Sequence, residues 1–347
     1  VEQLREMLTA MHGNSDRKMA ERLSNLELTE RLDEAKLTSW TSELRGANAK
    51  RALVALADQA ALLPPPKAEI PAEPPPDPAA QRKMVALADD YLNEIIPKLP
   101  NFYATRTTVH YEETPSPEEG DSTNEYQPLH VVDVSKVTVL YRQGQELIKS
   151  DPRQRRLKAN EQSLTAYGTF GPILSAAIGA LVASSDFSWS RWEQGADGRR
   201  AVFRYVIPTQ KSHFRVGFCC LPDGDGMTGF EQITGYHGEI ALDPISGTML
   251  RFTVGADLSP GLPLVRSDVV VDYGSVQIGG KTYTCPLKSI AIWRSRTVSI
   301  FALTDWGESF RSYGPFATML SDITFDDYHI FRADSRILTG STSPKQR

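Results

Sequence analysis

Residues 64–78, PPPKAEIPAEPPPDP, contain eight prolines. Proline fixes φ and carries no backbone N–H, so neither a helix interior nor an inner sheet strand can pass through this stretch. The segment therefore divides the chain, and its composition favours an extended polyproline spacer. Four regions follow from that division: a helical region at 1–63, a proline-rich linker at 64–79, a helix plus antiparallel β domain at 80–338, and a polar disordered tail at 339–347. The alternative use of such a stretch, as a ligand for a proline-recognition module, requires a partner domain outside this sequence.

Before the prolines the apolar period is helical. Leu4, Met7, Leu8 and Met11 share a face; Gly13 and Asn14 interrupt, and Asn14 or Ser15 is placed to cap the next helix, carrying Met19, Leu23 and Leu26. The string beginning at Thr29, TERLDE, signals a third helix through Leu32, Leu37 and Trp40, and an Ala/Leu-rich helix follows Gly46 and runs to Leu62. A bundle this short has a limited core of its own and is expected to dock on a partner or on the rest of the chain. Past the prolines, Met84, Leu87, Tyr91, Leu92 and Ile95 form one more helix, which Pro97 and Pro100 end.

From residue 102 the period becomes two. In YHGEIALDPISGTMLRFTV, 236–254, Ile240 and Leu242 point to one side and His237, Glu239 and Ala241 to the other; Leu250, Phe252 and Val254 then share a face opposite Arg251 and Thr253. Asp243-Pro244-Ile245-Ser246-Gly247 supplies the turn, with Pro presetting φ and Gly allowing φ > 0. Similar runs occupy 102–111, 130–142, 146–148, 187–192, 201–207, 214–221, 268–278, 283–293, 298–303 and 323–331, with a Gly279-Gly280 hairpin turn. A helix opening at Gly171-Pro172 interrupts them, with Ile173, Leu174, Ile178, Leu181 and Val182 on its apolar surface. About nine to eleven antiparallel strands with so few helices define an α+β fold: an N-terminal helical segment, then a large curved antiparallel sheet, half-barrel-like, wrapped around one or more helices, or an open barrel.

The net charge of −5 argues against a nucleic-acid partner, which needs clustered Lys and Arg. The basic run RQRRLK at 153–158 reads as a solvated helix end or turn. No apolar run reaches the roughly 20 residues of a transmembrane segment; the longest is 173–183. The chain begins at Val1, as in a trimmed or processed product, including one that has lost a secretory signal. Of the cysteines, Cys219 and Cys220 are adjacent and face opposite ways on a strand; Cys220 shares a face with Phe218 and Val216, and Cys285 with Tyr283. A Cys220–Cys285 disulfide and three reduced, buried thiols are both open. No cysteine or histidine pair stands at zinc spacing, so no metal is expected.

Chemistry-bearing motifs are sparse. His237 and Glu239 share a strand face with Asp243 in phase, a start for metal or acid–base chemistry that lacks a third member; an exposed polar face is the plainer account. His110, His130, His213 and His329 stand singly. No nucleophile elbow, zinc-protease signature, phosphate loop or dinucleotide fingerprint occurs, so no catalytic residue and no cofactor is assigned. Gly168-Thr169-Phe170-Gly171 lacks the lysine of a phosphate loop, and Asp223-Gly224-Asp225-Gly226 lacks the terminal Glu of a calcium loop. The remaining candidates are apolar: Ile173, Leu174, Ile178 and Leu181 with Phe187 and Trp189, and Ile240, Leu242, Leu250 and Phe252 on the hairpin. They either line a ligand cavity between sheet and helix or fill a core.

Over most of its length the chain resembles a family of predicted secreted bacterial proteins, on the strings GEIALDPISGTMLRFTV, VVVDYGSVQIGGKTYTCPLKSIAIW and DYHIFRADSRIL. That family brings no catalytic residues to transfer. At the level of fold, the strand-turn-strand rhythm with DP-x-S-G resembles the lipoprotein-carrier half-barrel superfamily over roughly 100–338. The resemblance implies a curved sheet closed by helices, an apolar ligand cavity and an extracytoplasmic location. The leading expectation is a non-enzymatic binding protein for an apolar, lipid-like ligand or an envelope component. A hydrolase working from His237 and Glu239, and a structural protein docking through its N-terminal helices, are the alternatives; the sequence does not set the oligomeric state.

Overall fold

The computed structural model describes residues 1–11, 13–115, 126–142, 145–148, 187–195, 198–212, 214–223, 226–303 and 308–331. Four helices open the chain: α1 (Glu2–Ala10), α2 (Asp16–Ser24), α3 (Glu34–Glu43) and α4 (Ala47–Gln59). Leu4, Leu8, Leu23, Leu37, Trp40 and Leu53 build their shared core. Ser15 caps α2, accepting from Lys18 N at 3.4 Å. The third helix begins at Glu34 and not at Thr29, because Asp33 Oδ1 accepts from Ala35 N and Lys36 N and satisfies the helix start there. The cap of α4 comes from another helix: Asp16 accepts from Ala49 N at 2.8 Å and Asn48 N at 3.2 Å. Gly46 permits that approach, since a Cβ there would stand 1.9 Å from Asp16 Cγ.

The proline-rich stretch is docked, not a free spacer. Pro65 and Pro66 are buried. Pro64 O accepts from Arg31 N at 2.9 Å, Pro74 O from Trp192 Nε1 at 3.2 Å and Pro76 O from Gln81 Nε2 at 2.7 Å. A polyproline chain leaves its carbonyls without internal partners, and here side chains and backbone of the neighbouring elements take them. Glu73 also pairs with Arg199, and Glu69 with Lys36.

Helix α5 (Pro78–Lys98) follows, and then, among the described residues, twelve strands: β1 (Phe102–Thr114), β2 (Gln127–Arg142), β3 (Gln145–Ile148), β4 (Ser188–Gly195), β5 (Gly198–Ile207), β6 (Arg215–Asp223), β7 (Gly226–Ile233), β8 (Gly235–Leu242), β9 (Met249–Asp257), β10 (Leu264–Ile278), β11 (Lys281–Leu303) and β12 (Glu308–Ile330). Ten of them form one antiparallel sheet in the order β3-β2-β1-β12-β11-β10-β9-β8-β5-β4, while β6 and β7 make a separate ribbon. The α+β architecture expected from the sequence is therefore present: N-terminal helices, then a large antiparallel sheet that does not close, ending at β3 and β4. Three strands differ from the sequence expectation. Residues 226–233 pair as the short strand β7, 281–303 is one continuous strand, and the last strand begins at Glu308 and not near 323, because cross-strand partners carry the long pair through its polar middle.

The sheet is covered on both faces. On one, Met84, Ala88 and Leu92 of α5 join Phe102, Tyr141, Phe203, Tyr205, Phe252 and Trp293 in the main core. Their spacing of four puts them in line along the helix. On the other, Ala55 and Ala61 at the end of the N-terminal bundle join Tyr111, Val270, Ile290, Ile292 and Leu320. Alternation explains the split: Val269 and Val271 face α5, and Val270 faces the bundle. Polar ties reinforce the second contact. Arg251 Nη2 donates to Ala61 O at 2.7 Å, and Lys288 Nζ lies 2.7 Å from Asp58 Oδ1 and 3.5 Å from Asp322 Oδ1.

The central hairpin shows where local pattern ends and pairing begins. Ile240 and Leu242 are in the core as expected, each 0 % exposed. Leu250 is not: Leu242 pairs with Met249 and Ala241 with Arg251, so Leu250 is the extra residue of a β-bulge. Met249 takes its core place, at 1 % exposure. Cys285 is buried on β11 and carries a free thiol, pushed up to about 12 by burial. The Cys220–Cys285 bridge is thus not formed; Cys285 sits in the apolar core, and the side chain of Cys220 lies outside the described residues.

Candidate functional site

A cavity of about 480 Å³ lies between the first half of α5 and the β4–β5 edge of the sheet. The helix start is fixed by Asp77, whose Oδ1 accepts from Ala79 N and Ala80 N at 2.8 Å each. With Met84 and Ala88 committed to the core, the adjacent stripe of α5 faces the cavity: Pro78, Gln81, Arg82, Val85, Ala86 and Asp89. The opposite wall is aromatic. Phe187 stacks on Phe203 with centroids 5.1 Å apart, and Trp189 stands edge-on to Phe203 at 5.3 Å.

A bulge places these rings. The β4–β5 register shifts between Trp189 and Arg191, which breaks the alternation of β4. Trp189 and Trp192 then meet on the core side, 4.7 Å apart, although they are separated by an odd number of positions. Trp192 is held from behind by the Arg199 guanidinium, 4.1 Å above its ring, and by Pro74 O. The proline strap thus positions the wall of the cavity.

Of the apolar candidates read from sequence, Phe187 and Trp189 line this cavity. Ile240, Leu242 and Phe252 fill the core, all 0 % exposed, and line no opening there. Leu250 is the bulge residue noted above. Ile173, Leu174, Ile178 and Leu181 lie outside the described residues, as do Gly168–Gly171 and His213. Sequence reading missed Phe203, Arg82, Val85, Ala86 and Asp89. The α5 residues were findable as the stripe flanking 84, 88 and 92, but only the packed sheet says which flank stays open.

His237 and Glu239 have separate partners. His237 Nδ1 lies 2.6 Å from Asp257 Oδ1, with the imidazole 58 % exposed. Glu239 takes both guanidinium nitrogens of Arg191 at 2.6 Å, with Arg204 Nε at 3.2 Å. Arg191 also binds Glu193, which binds Arg31 of the N-terminal region at 2.6 Å. Burial alone would raise the Glu239 carboxyl; the Arg191 and Arg204 contacts outweigh it and hold the group below the usual carboxylate range. Glu239 is therefore part of an ion network that ties the strands to the bundle. Neither residue lines the cavity. The other described histidines also have structural settings: His110 Nδ1 is 3.0 Å from Ser321 Oγ, His130 Nδ1 is 3.1 Å from Pro128 O, and His329 packs on Tyr103. Among the described residues no three His, Cys, Asp or Glu side chains group to hold a metal ion. No described helix is long and apolar enough to cross a membrane.

No family model, curated protein or solved structure matches this chain.

Proposed function

We propose that the chain is a binding protein that holds an apolar ligand in the cavity between α5 and the β4–β5 edge. The observation that carries this reading is a recess of about 480 Å³ with Phe187, Trp189 and Phe203 on one wall and Val85 and Ala86 on the other. That volume is in the range of small-molecule sites, roughly 300–1,000 Å³, and apolar walls with a few polar groups are what such sites present. Of the residues the sequence suggested, this reading keeps Phe187 and Trp189 and leaves out the hairpin. The hairpin face is closed core, and the recess lies at the sheet edge, supported by the proline strap. An envelope component bearing an apolar group falls within the same reading. Extracytoplasmic placement belongs to the proposal too and rests on the family resemblance; cell fractionation tests it.

The test of binding is titration with N-phenyl-naphthylamine, an uncharged probe that fluoresces in apolar surroundings. Saturable binding at one site is expected. Ala86→Trp, at an exposed helix position on the cavity wall, should abolish it without lowering the melting temperature. Binding that persists unchanged in that variant would place the ligand elsewhere and remove the proposal.

A further inference from the structure

Resting on that reading, we infer that the ligand is an amphiphilic anion, with its charged group at Arg82 and its apolar body along the aromatic wall. Three observations on α5 carry this. Among the described residues Arg82 is the one cationic side chain lining the cavity. Among the described residues it makes no ion pair, whereas the nearby Arg199 is engaged by Glu73 and the face of Trp192. The cavity's own carboxylate, Asp89, stands two helical turns further on, about 10 Å along the axis. Asp89 Oδ1 also accepts from Asn93 Nδ2 at 3.2 Å.

The charges along the cavity are therefore separated, with a free cation at one end and an acid at the other. An anion with an uncharged tail fits one way round only: head at Arg82, tail past Ala86 toward Asp89. The reverse orientation puts like charges together. A cationic amphiphile would have to seat its head at Asp89, a carboxylate that already accepts from Asn93, whereas Arg82 is left for an anion. The backbone N–H groups at the start of α5 are not the recognition element. Asp77 occupies those of Ala79 and Ala80, and Pro78 has none. Arg82 is exposed, so its contribution is moderate and screened by salt.

The experiment compares two probes with one ring system: N-phenyl-naphthylamine and its sulfonate, anilinonaphthalene sulfonate. The wild-type protein should bind the sulfonate about three- to tenfold more tightly than the neutral probe at low salt. The preference should vanish in Arg82→Gln and fade as salt is raised, with the neutral probe unaffected in both cases. Equal binding of the two probes by the wild type would overturn the inference while leaving an apolar site in place. A sulfonate preference surviving in Arg82→Gln would overturn the assignment to that residue. Failure of both probes to bind would take the inference down together with the binding reading.

Discussion

Asp58 and Lys288 are buried charges paired between the N-terminal bundle and the sheet. Asp58 is 2 % exposed, with Lys288 against one oxygen and no hydrogen-bond partner at the other. Burial raises its carboxyl to about 7, with Lys288 opposing and Asp322 and Glu34 adding to the shift. Lys288 is raised as well; burial opposes that shift, and the two aspartates outweigh it. A folded value above the ordinary 3.8 means that the Asp58 contribution is full below that value and is lost as pH rises through about 7. Denaturant titrations should show the wild type losing stability between about pH 4 and 7, with that part of the loss absent in Asp58→Asn. Equal pH profiles for the two proteins would refute the assignment. Lys288→Met leaves two carboxylates without their cation and should destabilise by about 3–5 kcal/mol. Glu193 and Glu239 act in the other direction: their lowered values mean stability lost on acidification, below the ordinary 4.5. The two windows are thus separable in one titration.

The hairpin β8–β9 shows how an element is set partly by itself and partly by its neighbours. Its turn is local chemistry: Asp243 Oδ1 accepts from Ile245 N and Ser246 N at 2.8 Å, and Gly247 takes φ +73. These features were legible in D-P-I-S-G. The docking of that turn was not. A Cβ on Gly247 would lie 2.4 Å from the Leu87 backbone carbonyl carbon, so the turn seats directly on α5. Gly247→Ala combines a left-handed backbone with that clash and should cost about 2 kcal/mol or more. Ile245→Ala, at a tip residue 86 % exposed, should stay within about 0.5 kcal/mol. Thermal unfolding of the pair tests whether the turn is seated or free: similar losses in both would show that α5 is not in contact. Along the strands a second tertiary feature appears. Tyr205 OH donates to Thr253 O at 2.6 Å across Gly238, where a Cβ would stand 1.9 Å from that oxygen.

As a whole, the molecule is a sheet with a helical layer on each face, and the N-terminal bundle is one of those layers. Its expected need for a docking surface is met by the chain's own sheet, through Ala55 and Ala61 against Tyr111, Val270, Ile290, Ile292 and Leu320. Removing residues 1–63 would expose that apolar face, and apolar patches of this kind drive association. The truncated protein should aggregate or self-associate in light scattering. A monodisperse fragment that still unfolds cooperatively would mean that the bundle is a separable domain.

Local rules decide what depends on neighbours in sequence. Proline chemistry marked the break at 64–78, helical spacing marked α5 and most of the bundle, and period two marked most of the strands. The turns at Gly247 and at Gly279-Gly280, the latter with φ +60 and +82, were written in residue type. Only the tertiary structure decided what depends on pairing at a distance. Bulges at Leu250 and between Trp189 and Arg191 shift which side chains share a face, and no alternation rule anticipates an extra residue inserted against a remote partner. The same holds for the cavity. Phe187 and Trp189 were candidates in the sequence and Arg82 was not, and the three line one recess only because α5 packs beside the β4–β5 edge.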